Sequence, residues 1–472
     1  MTSRGFELRR PNAAGLFAIA LGTWSAIIAL MPTTTGKLLV VIPLILAAVF
    51  YWVILRPSRW LVAFFFCLLL LPPLPLPLGN SGVHVAPLLA LLGGLAGLVW
   101  IREWRSWSHP LTRALMIFCG VLLESLAFAA IFSGWQIAVG SLARVVLFAI
   151  SIFVFLYAYA GPSSDGWSPF RITKFLFGLA VAGALFACAD FYFQFPAPAG
   201  YGDQFVYLEE GVFRRAQGLF YEASTLGNFC AFFLVMVMVC LFRRREETPL
   251  SRAALQAGGL ILAAALLFSY SRASVLNVVV AAAVLACMYA GRIRRSLIVL
   301  LVALAAAGGA IQVAAPKLSA NYWGRLLGSF TFFDQSPDQV LSGRLGHWQV
   351  LYDFLAHSPW YLAFGVGYKT LPYSTFVGST VIADNTYLGL LVETGVVGLA
   401  AFIGLNVVIL RTAWIARRSS RPQAQFFAEW IFCFWCGEMV QMMSGDLITY
   451  WRVLPVYFWV LGTAARLAKE DA

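Results

Sequence analysis

Long apolar runs recur along almost the whole chain, separated by short polar or basic stretches. Most runs are about 17 to 24 residues long, the length that an α-helix needs to cross a hydrocarbon core of about 30 Å. Apolar and polar residues do not alternate within them, as they would in the strands of a membrane β-barrel. The runs predict about fourteen spans, at residues 13–31, 38–55, 60–78, 83–101, 112–132, 137–160, 175–195, 222–242, 253–270, 273–290, 296–315, 386–410, 425–445 and 453–467.

Two of these runs allow another interpretation. Prolines interrupt LPPLPLPL (71–78), and each proline removes a hydrogen bond from a helix. The run 453–467 is short for a membrane span. Either segment can therefore be re-entrant or broken, and the prediction is a bundle of about 12 to 14 transmembrane helices.

Composition places the chain in the same class. Hydrophobic residues make up 61% of it, charged residues 11%, and the mean hydropathy is +0.81, values that exclude a soluble domain of this length. The predicted fold class is therefore an all-α polytopic membrane protein. The eight cysteines mostly stand singly in apolar spans, which favours buried thiols over a metal or redox site.

Lysine and arginine predict the orientation, because cytoplasmic loops retain basic residues during insertion. Both termini are predicted to be cytoplasmic, and this topology explains most of the net charge of +12 without nucleic-acid binding. The basic loops also favour contact with anionic membrane lipids. The residues assigned to the cytoplasmic side are Arg4, Arg9, Arg10, Arg56, Arg59, Arg102, Arg105, Arg171, Lys174, Arg243, Arg244, Arg245, Arg292, Arg294, Arg295, Arg411, Arg417, Arg418 and Arg421.

Three regions follow from this topology. Residues 1–315 form an N-terminal transmembrane region of about eleven helices, which includes the outer segment 196–221. Residues 316–385 form a long periplasmic loop, and residues 386–472 form the C-terminal transmembrane helices.

The long loop is predicted to contain a helix. In GRLGHWQVLYDFLAHSP (343–359), apolar residues recur at helical spacing opposite polar ones, so we expect an amphipathic helix over 343–358 that lies along the membrane surface. Pro359 ends it, and the glycine-rich turn FGVGY (364–368) follows. Asp384 or Asn385 is then expected to cap the helix that re-enters the membrane.

A few arginines break the cytoplasmic pattern. Arg215 precedes a span, Arg272 lies in the outer turn FSYSRAS, and Arg344 opens the loop helix. Arginine suits phosphate because its planar guanidinium presents a fork of donors and stays charged; the alternative is interfacial snorkelling. Arg144 lies inside its predicted helix, where we expect it to pair with Glu124 of the preceding span.

Several of these stretches resemble one known family. The chain is similar to the bacterial O-antigen ligase and O-antigen polymerase superfamily over roughly its C-terminal half. The stretches that carry the resemblance occur in the family's order and on the predicted outer side: RRAQGLFYEASTLGNF (214–229), FSYSRAS (268–274), SGRLGHWQ (342–349), FGVGY (364–368) and ADNTYLGLLVETGVVGL (383–399).

The resemblance implies a fold and an activity. It implies a GT-C-like helical scaffold in the bacterial inner membrane that moves a glycan from undecaprenyl diphosphate to a hydroxyl, without a cofactor or an obligatory metal. Arg215 and Arg272 match arginines that look like the family's diphosphate-binding residues, and Arg214 and Arg344 are further candidates. The acceptor is a glycan or a lipid, and a chain-length regulator is a possible partner.

Two carboxylates are candidates for the general base. Ligases of the family typically have a histidine where this chain has Asp384, which puts the ligases' proposed base in doubt here. Glu222 in FYEAS is more similar to the polymerases. The structural alternatives are a helix cap for Asp384 and a salt bridge to an arginine for Glu222.

Three functions remain open. The first is a metal-independent polysaccharide polymerase, whose acceptor is a second lipid-linked repeat unit. The second is a ligase, whose acceptor is a lipid A core or a protein. The third is a transporter or flippase with Glu124, Arg144, Glu429 and Glu438 as an intramembrane relay, and the absence of an obvious inverted repeat speaks against it.

Overall fold

The computed structural model describes most of the chain, but not all of it. The described residues are 57–74, 84–100, 109–161, 168–197, 204–208, 211–289 and 344–471, with Gly202 and parts of 22–52. The predicted spans 13–31 and 38–55 lie mostly outside them, and 296–315 lies entirely outside them. The chain forms two compact units, Met1–Leu61 and Val62–Ala472. The description below concerns the second unit and the helix that runs into it from Pro57.

Helices dominate the described residues. They are α1 (Pro57–Leu70), α2 (Val85–Trp100), α3 (Pro110–Ser133), α4 (Trp135–Ala160), α5 (Pro169–Phe193), α6 (Ala223–Phe242), α7 (Arg252–Phe268), α8 (Arg272–Met288), α9 (Arg344–His357), α10 (Tyr361–Phe364), α11 (Thr386–Ala416), α12 (Pro422–Gln441) and α13 (Leu454–Lys469). Within this part of the chain, α3, α4, α5, α6 and α11 are long and apolar enough to cross a membrane. The prediction of an all-α polytopic membrane protein is confirmed.

The two ambiguous runs have different outcomes. α1 ends at Leu70, and residues 71–74 are not helical, so the predicted span 60–78 is wrong over 71–74, where the prolines leave the helix without donors. Residues 75–78 of that span lie outside the described residues. The short last run is helical from Leu454 onward as α13, and residues 454–465 of it are buried against other helices. A helix enclosed by protein does not need to match the thickness of the lipid.

A small β-hairpin lies in the segment 196–221, which the sequence predicts to be on the outer side. Strand β1 (Phe205–Leu208) pairs antiparallel with β2 (Gly211–Arg214), in a register that sets Phe205 opposite Arg214. Gly211 has φ +141°, in the region that favours glycine, and it starts the second strand.

The core of the bundle is built around α6. Of its most apolar stretch, 83% is buried inside the protein, and the Phe232 ring packs against Trp430 of α12 and Tyr457 of α13 at 4.5 and 4.3 Å between centroids. Gly227 lets α6 approach the start of α8, since a Cβ there would lie 2.9 Å from Ser271. The end of α6 that meets α8 is the end where the predicted site residues cluster.

The loop helix is present as predicted, as α9. Its polar residues Gln349, Asp353 and His357 are exposed, while Leu351 is fully buried. Leu351 packs in a cluster with residues of the loop and of α11, namely Val366, Leu371, Val377, Val381 and Val392. The apolar stripe of α9 therefore covers the rest of its own loop.

The glycine turn after α10 docks on a break in α11. Gly395 has φ +69°, which interrupts the helix and leaves the Val392 and Glu393 carbonyls to accept from outside it. Val366 N donates to the Val392 oxygen at 3.0 Å, and Gly367 N donates to the Glu393 oxygen at 2.8 Å. This pairing fixes the following residues of the loop against the bundle.

Candidate active site

Segments from distant parts of the chain meet where α6, α8 and α11 begin. Ala216 N donates to the Phe268 carbonyl at 3.0 Å, which joins the RRAQG stretch to the turn before α8. Thr386, the first residue of α11, donates through its amide (3.1 Å) and its hydroxyl (2.8 Å) to the Gly445 carbonyl. The sequence places these segments on the predicted outer side of the membrane.

Arg215 lies against the turn that carries Arg272. Its Nε donates to the Ser269 carbonyl at 2.7 Å. Arg272 is the first residue of α8, three positions after Ser269, and both arginine side chains are partly exposed. The structure thus brings the two predicted diphosphate-binding residues onto adjoining segments.

Arg214 faces the other way. Its Nη2 pairs with Asp190 of α5 at 2.7 Å and donates to the Phe195 carbonyl at 2.6 Å. The Gln194 side chain also binds the Arg214 backbone. The Arg214 side chain is only 13% exposed and that of Asp190 only 5%, so Arg214 anchors the hairpin to α5.

Asp384 is paired and does not cap α11. The cap is Asn385, whose Oδ1 accepts from Leu388 N at 3.0 Å. Asp384 has φ +43° and accepts from Arg344 Nε at 3.1 Å. Trp348 donates to the neighbouring Ala383 carbonyl at 2.7 Å. The predicted residues Arg344 and Asp384 are therefore brought together, and α9 holds the loop that carries Asp384.

Glu222 occupies the N-cap position of α6 without a capping bond from its side chain. Its Oε2 accepts from the Ser224 hydroxyl at 2.9 Å. Among the described residues, no arginine or lysine pairs with it within 4.0 Å, so the expected salt bridge is not formed there. The side chain is exposed to solvent, yet protein atoms surround it on most sides.

These surroundings raise the pKa of Glu222. Desolvation by the protein is the largest cause, and the negative charge of Asp384 acts in the same direction. The Ser224 hydrogen bond and the positive charges of Lys369 and Arg215 oppose the increase. The interactions also show that Glu222, Asp384, Lys369 and Arg215 share one electrostatic neighbourhood.

Lys369 and Asp446 complete this neighbourhood, and sequence reasoning did not assign them a role. Lys369 Nζ pairs with Asp446 Oδ2, and the lysine side chain is 12% exposed. Lys369 also has φ +56°, an unusual conformation for a residue with a Cβ. The only sequence signal for Lys369 was a basic residue on the predicted outer side, and Asp446 had none.

Arg144 does not pair with Glu124, so that prediction is wrong. Its guanidinium lies 4.6 Å from the centre of the Tyr373 ring, which belongs to the loop between α10 and α11. No ion pair joins Arg144 to Glu124 within the described part of the chain. Glu124 is exposed on α3. The loop supplies an aromatic face for Arg144, and the attraction between the guanidinium and the ring stabilises the positive charge.

Arg452 stabilises the segment just before Glu222. It is 1% exposed and donates to the carbonyls of Leu68 (2.8 Å), Leu71 (2.9 Å) and Leu219. Its guanidinium also lies 5.3 Å from the centre of the Phe220 ring. One buried cation thus holds both the end of α1 with the residue after it and the residues just before Glu222.

Residues 257–403 match the family model described as O-antigen ligase. The predicted resemblance is confirmed. No curated protein matches the chain. The O-antigen ligase domain includes Arg272, Arg344 and Asp384 and begins after Arg215 and Glu222.

The O-antigen ligase domain also sets the general chemistry. The family comprises glycosyltransferase-like ligases and polymerases, which act on lipid-linked glycans and acceptors in general. With its apolar helices and this O-antigen ligase domain, the protein is a multi-pass membrane protein.

Proposed function

We propose that the protein is a polysaccharide polymerase of the bacterial inner membrane. It transfers a glycan from undecaprenyl diphosphate to a sugar hydroxyl of another lipid-linked repeat unit at the periplasmic face. The observation that carries this proposal is the position of Glu222: it is accessible, it is not ion-paired within the described residues, and it lies in the same neighbourhood as Arg215.

Arg215 and Arg272 bind the diphosphate of the donor. Cleavage of the anomeric C–O bond leaves the electron pair on the diphosphate, and guanidinium groups placed in advance stabilise that charge in the transition state. The contact of Arg215 Nε with Ser269 fixes the guanidinium relative to the start of α8.

Glu222 is the general base. The acceptor hydroxyl oxygen attacks the anomeric carbon, its proton passes to the Glu222 carboxylate, and undecaprenyl diphosphate leaves. The raised pKa suits this step, because a base whose pKa lies nearer the working pH accepts a proton more readily in the transition state. Asp384 is held by Arg344, so we assign the pair to positioning the loop before the donor binds.

The second candidate is a ligase that transfers the glycan to a lipid A core or a protein. The description of the matching family favours it, and so does one contact. His347 of α9 lies with Nδ1 3.2 Å from the Ile382 oxygen, so a histidine adjoins the Asp384 loop in space although it is distant in sequence. His347 would then take the role of base.

The transporter alternative has less support. Of its four relay residues, Glu124 is exposed and Arg144 stacks on a ring. Glu429 is ion-paired with Arg243 at 2.9 Å, whereas Glu438 contacts amides. These four residues share no hydrogen bond or ion pair in the described structure.

The decisive experiment is transfer by purified protein in liposomes that contain undecaprenyl diphosphate-linked repeat units. Product length on a gel separates a polymerase, which gives a ladder, from a ligase, which needs an added acceptor. We expect Glu222→Gln and Arg215→Ala each to slow transfer by about a hundredfold or more, as when a positioned catalytic group is removed, and His347→Ala to be active.

Controls make the result interpretable. Arg252→Ala removes an exposed arginine at the far end of α7 and is expected to be fully active. EDTA is expected to leave the rate unchanged, and a co-expressed chain-length regulator to change the length distribution alone. Normal ladders from Glu222→Gln would refute Glu222 as the base. Product formed only with an added acceptor, and lost in His347→Ala, would replace the polymerase proposal with the ligase.

A further inference from the structure

A cluster of polar side chains is enclosed between the helices below the candidate site. Its members are buried, and they come from four helices: Asn228 of α6, Ser274 and Asn277 of α8, Glu438 and Gln441 of α12, and Tyr457 of α13. Glu438 and Asn277 are both 0% exposed. The proposed reaction uses none of these residues.

Two amide donors of this cluster converge on one oxygen of Glu438. Asn277 Nδ2 donates to Glu438 Oε2 at 2.7 Å, and Asn228 Nδ2 donates to the same oxygen. Both amides also lie 3.1 Å from Gln441 Oε1. Two buried oxygens remain without a donor among the described residues, Glu438 Oε1 and Asn277 Oδ1.

The surroundings of Glu438 are poor in charge. Its electrostatic neighbours on the other packed elements are Tyr387 of α11, Tyr450 and Tyr457, and among the described residues no arginine or lysine lies within ion-pair distance. Glu429, two and a half turns earlier on the same helix, differs: it accepts from Arg243 at 2.9 Å. A buried carboxylate without a cation, and with one oxygen lacking a donor, is strongly unfavourable.

A protonated carboxyl group removes this difficulty. A carboxylic acid and a primary amide can pair through two parallel hydrogen bonds, with the amide N–H donating to the carbonyl oxygen and the acid O–H donating to the amide oxygen. The first bond is present between Asn277 and Glu438. The two oxygens without donors are the two atoms that the second bond would join.

We propose that Glu438 holds a proton on Oε1 and pairs with Asn277 as a neutral acid–amide ring that joins α12 to α8. The cluster continues toward the site, since Gln441 Nε2 donates to Ser274 at 3.1 Å and Ser274 bonds Ser271 at 2.8 Å. Ser271 immediately precedes Arg272. The proton therefore helps to hold the start of α8 in place, and Glu438 is a positioning residue.

The test compares the same substitution at two glutamates of α12. Glutamine reproduces both bonds of the ring with its own amide, so Glu438→Gln is expected to keep the melting temperature of the wild type in detergent. Glu429→Gln removes the negative partner of Arg243 and is expected to melt several degrees lower, while Glu438→Ala, which deletes the ring, is also expected to melt lower.

A direct measurement identifies the proton. The infrared difference spectrum between wild type and Glu438→Gln is expected to show a protonated carboxyl C=O band that the variant lacks. A missing band, or a melting temperature for Glu438→Gln as low as that for Glu438→Ala, would overturn the proposal. Stabilisation of the wild type, but not of Glu438→Gln, by sodium over choline would assign Oε1 to a bound cation and would also overturn it.

Discussion

Alanine substitutions of the adjacent residues Arg214 and Arg215 are expected to have different effects on stability and on transfer. Arg214 is enclosed and paired with Asp190, whereas Arg215 lies at the candidate site. Arg214→Ala should reduce the stability of the protein, and any loss of transfer should follow from that. Arg215→Ala should reduce transfer strongly and lower stability by only about 1 kcal/mol, for the hydrogen bond to Ser269 that it loses.

The magnitude follows from the burial of the pair. With side chains 13% and 5% exposed, removal of Arg214 leaves Asp190 as a buried carboxylate without its cation, at a cost of about 3–5 kcal/mol in the free energy of unfolding. The double variant Arg214→Ala/Asp190→Asn leaves no unpaired buried charge. The side-chain oxygen of the new asparagine can still accept the hydrogen bond that the Gly218 backbone N–H donates to Asp190 in the wild type. It should lose only about 1–2 kcal/mol, the value of the missing hydrogen bonds.

The assay is the melting temperature of the detergent-purified variants, with transfer measured in parallel below the lowest melting temperature. The expected order of stability is wild type first, then Arg215→Ala, then the double variant, then Arg214→Ala. If Arg214→Ala melted like the wild type and yet lost transfer, the anchoring role would be refuted and Arg214 would return to the diphosphate site. A double variant as unstable as Arg214→Ala would refute the explanation that the unpaired Asp190 carboxylate causes the loss of stability.

Three further predictions concern the loops around the site. Lys369→Ala removes a positive charge that lowers the pKa of Glu222, so the acid limb of the pH–rate profile should move to higher pH. Asp384→Asn removes a negative charge that raises the same pKa, so the acid limb should move to lower pH. Shifts in the same direction would contradict the assignment of Glu222 as base. Gly395→Ala puts a Cβ against the Ala363 carbonyl at a left-handed φ, and should expose the outer loop to protease at a cost of about 1–3 kcal/mol. Arg452→Lys should lower the melting temperature, because a single ammonium cannot reach carbonyls on two segments; an unchanged melting temperature would contradict this.

The sequence predicted the helical framework well because hydropathy is a local property. α3, α4 and α6 begin and end within a few residues of the predicted spans. The end of α1 was missed because the prolines after Leu70 remain apolar, so hydropathy does not register the break. α13 was doubtful on length alone, since a single sequence does not show which helices are enclosed by protein.

The partners of the site residues were much harder to predict. The positive-inside pattern selected Arg215, Arg272 and Arg344 as unusual. It contains no information about Asp190, which lies 24 positions from its partner Arg214. The pairing of Lys369 with Asp446 spans 77 positions. Such contacts depend on how helices pack, and neither composition nor periodicity reports that packing.

The distribution of ion pairs explains why Glu222 is the stronger candidate for the base. Around the site, Arg214 is matched by Asp190, Lys369 by Asp446, and Arg344 by Asp384. The last pair is 25% and 45% exposed, so it is worth at most about 1 kcal/mol and can open when an anionic ligand offers Arg344 a better partner. Opening would free the Asp384 charge close to Glu222 and raise the Glu222 pKa further. Donor binding at Arg344 would then make Glu222 a better proton acceptor at the moment when the acceptor hydroxyl must be activated.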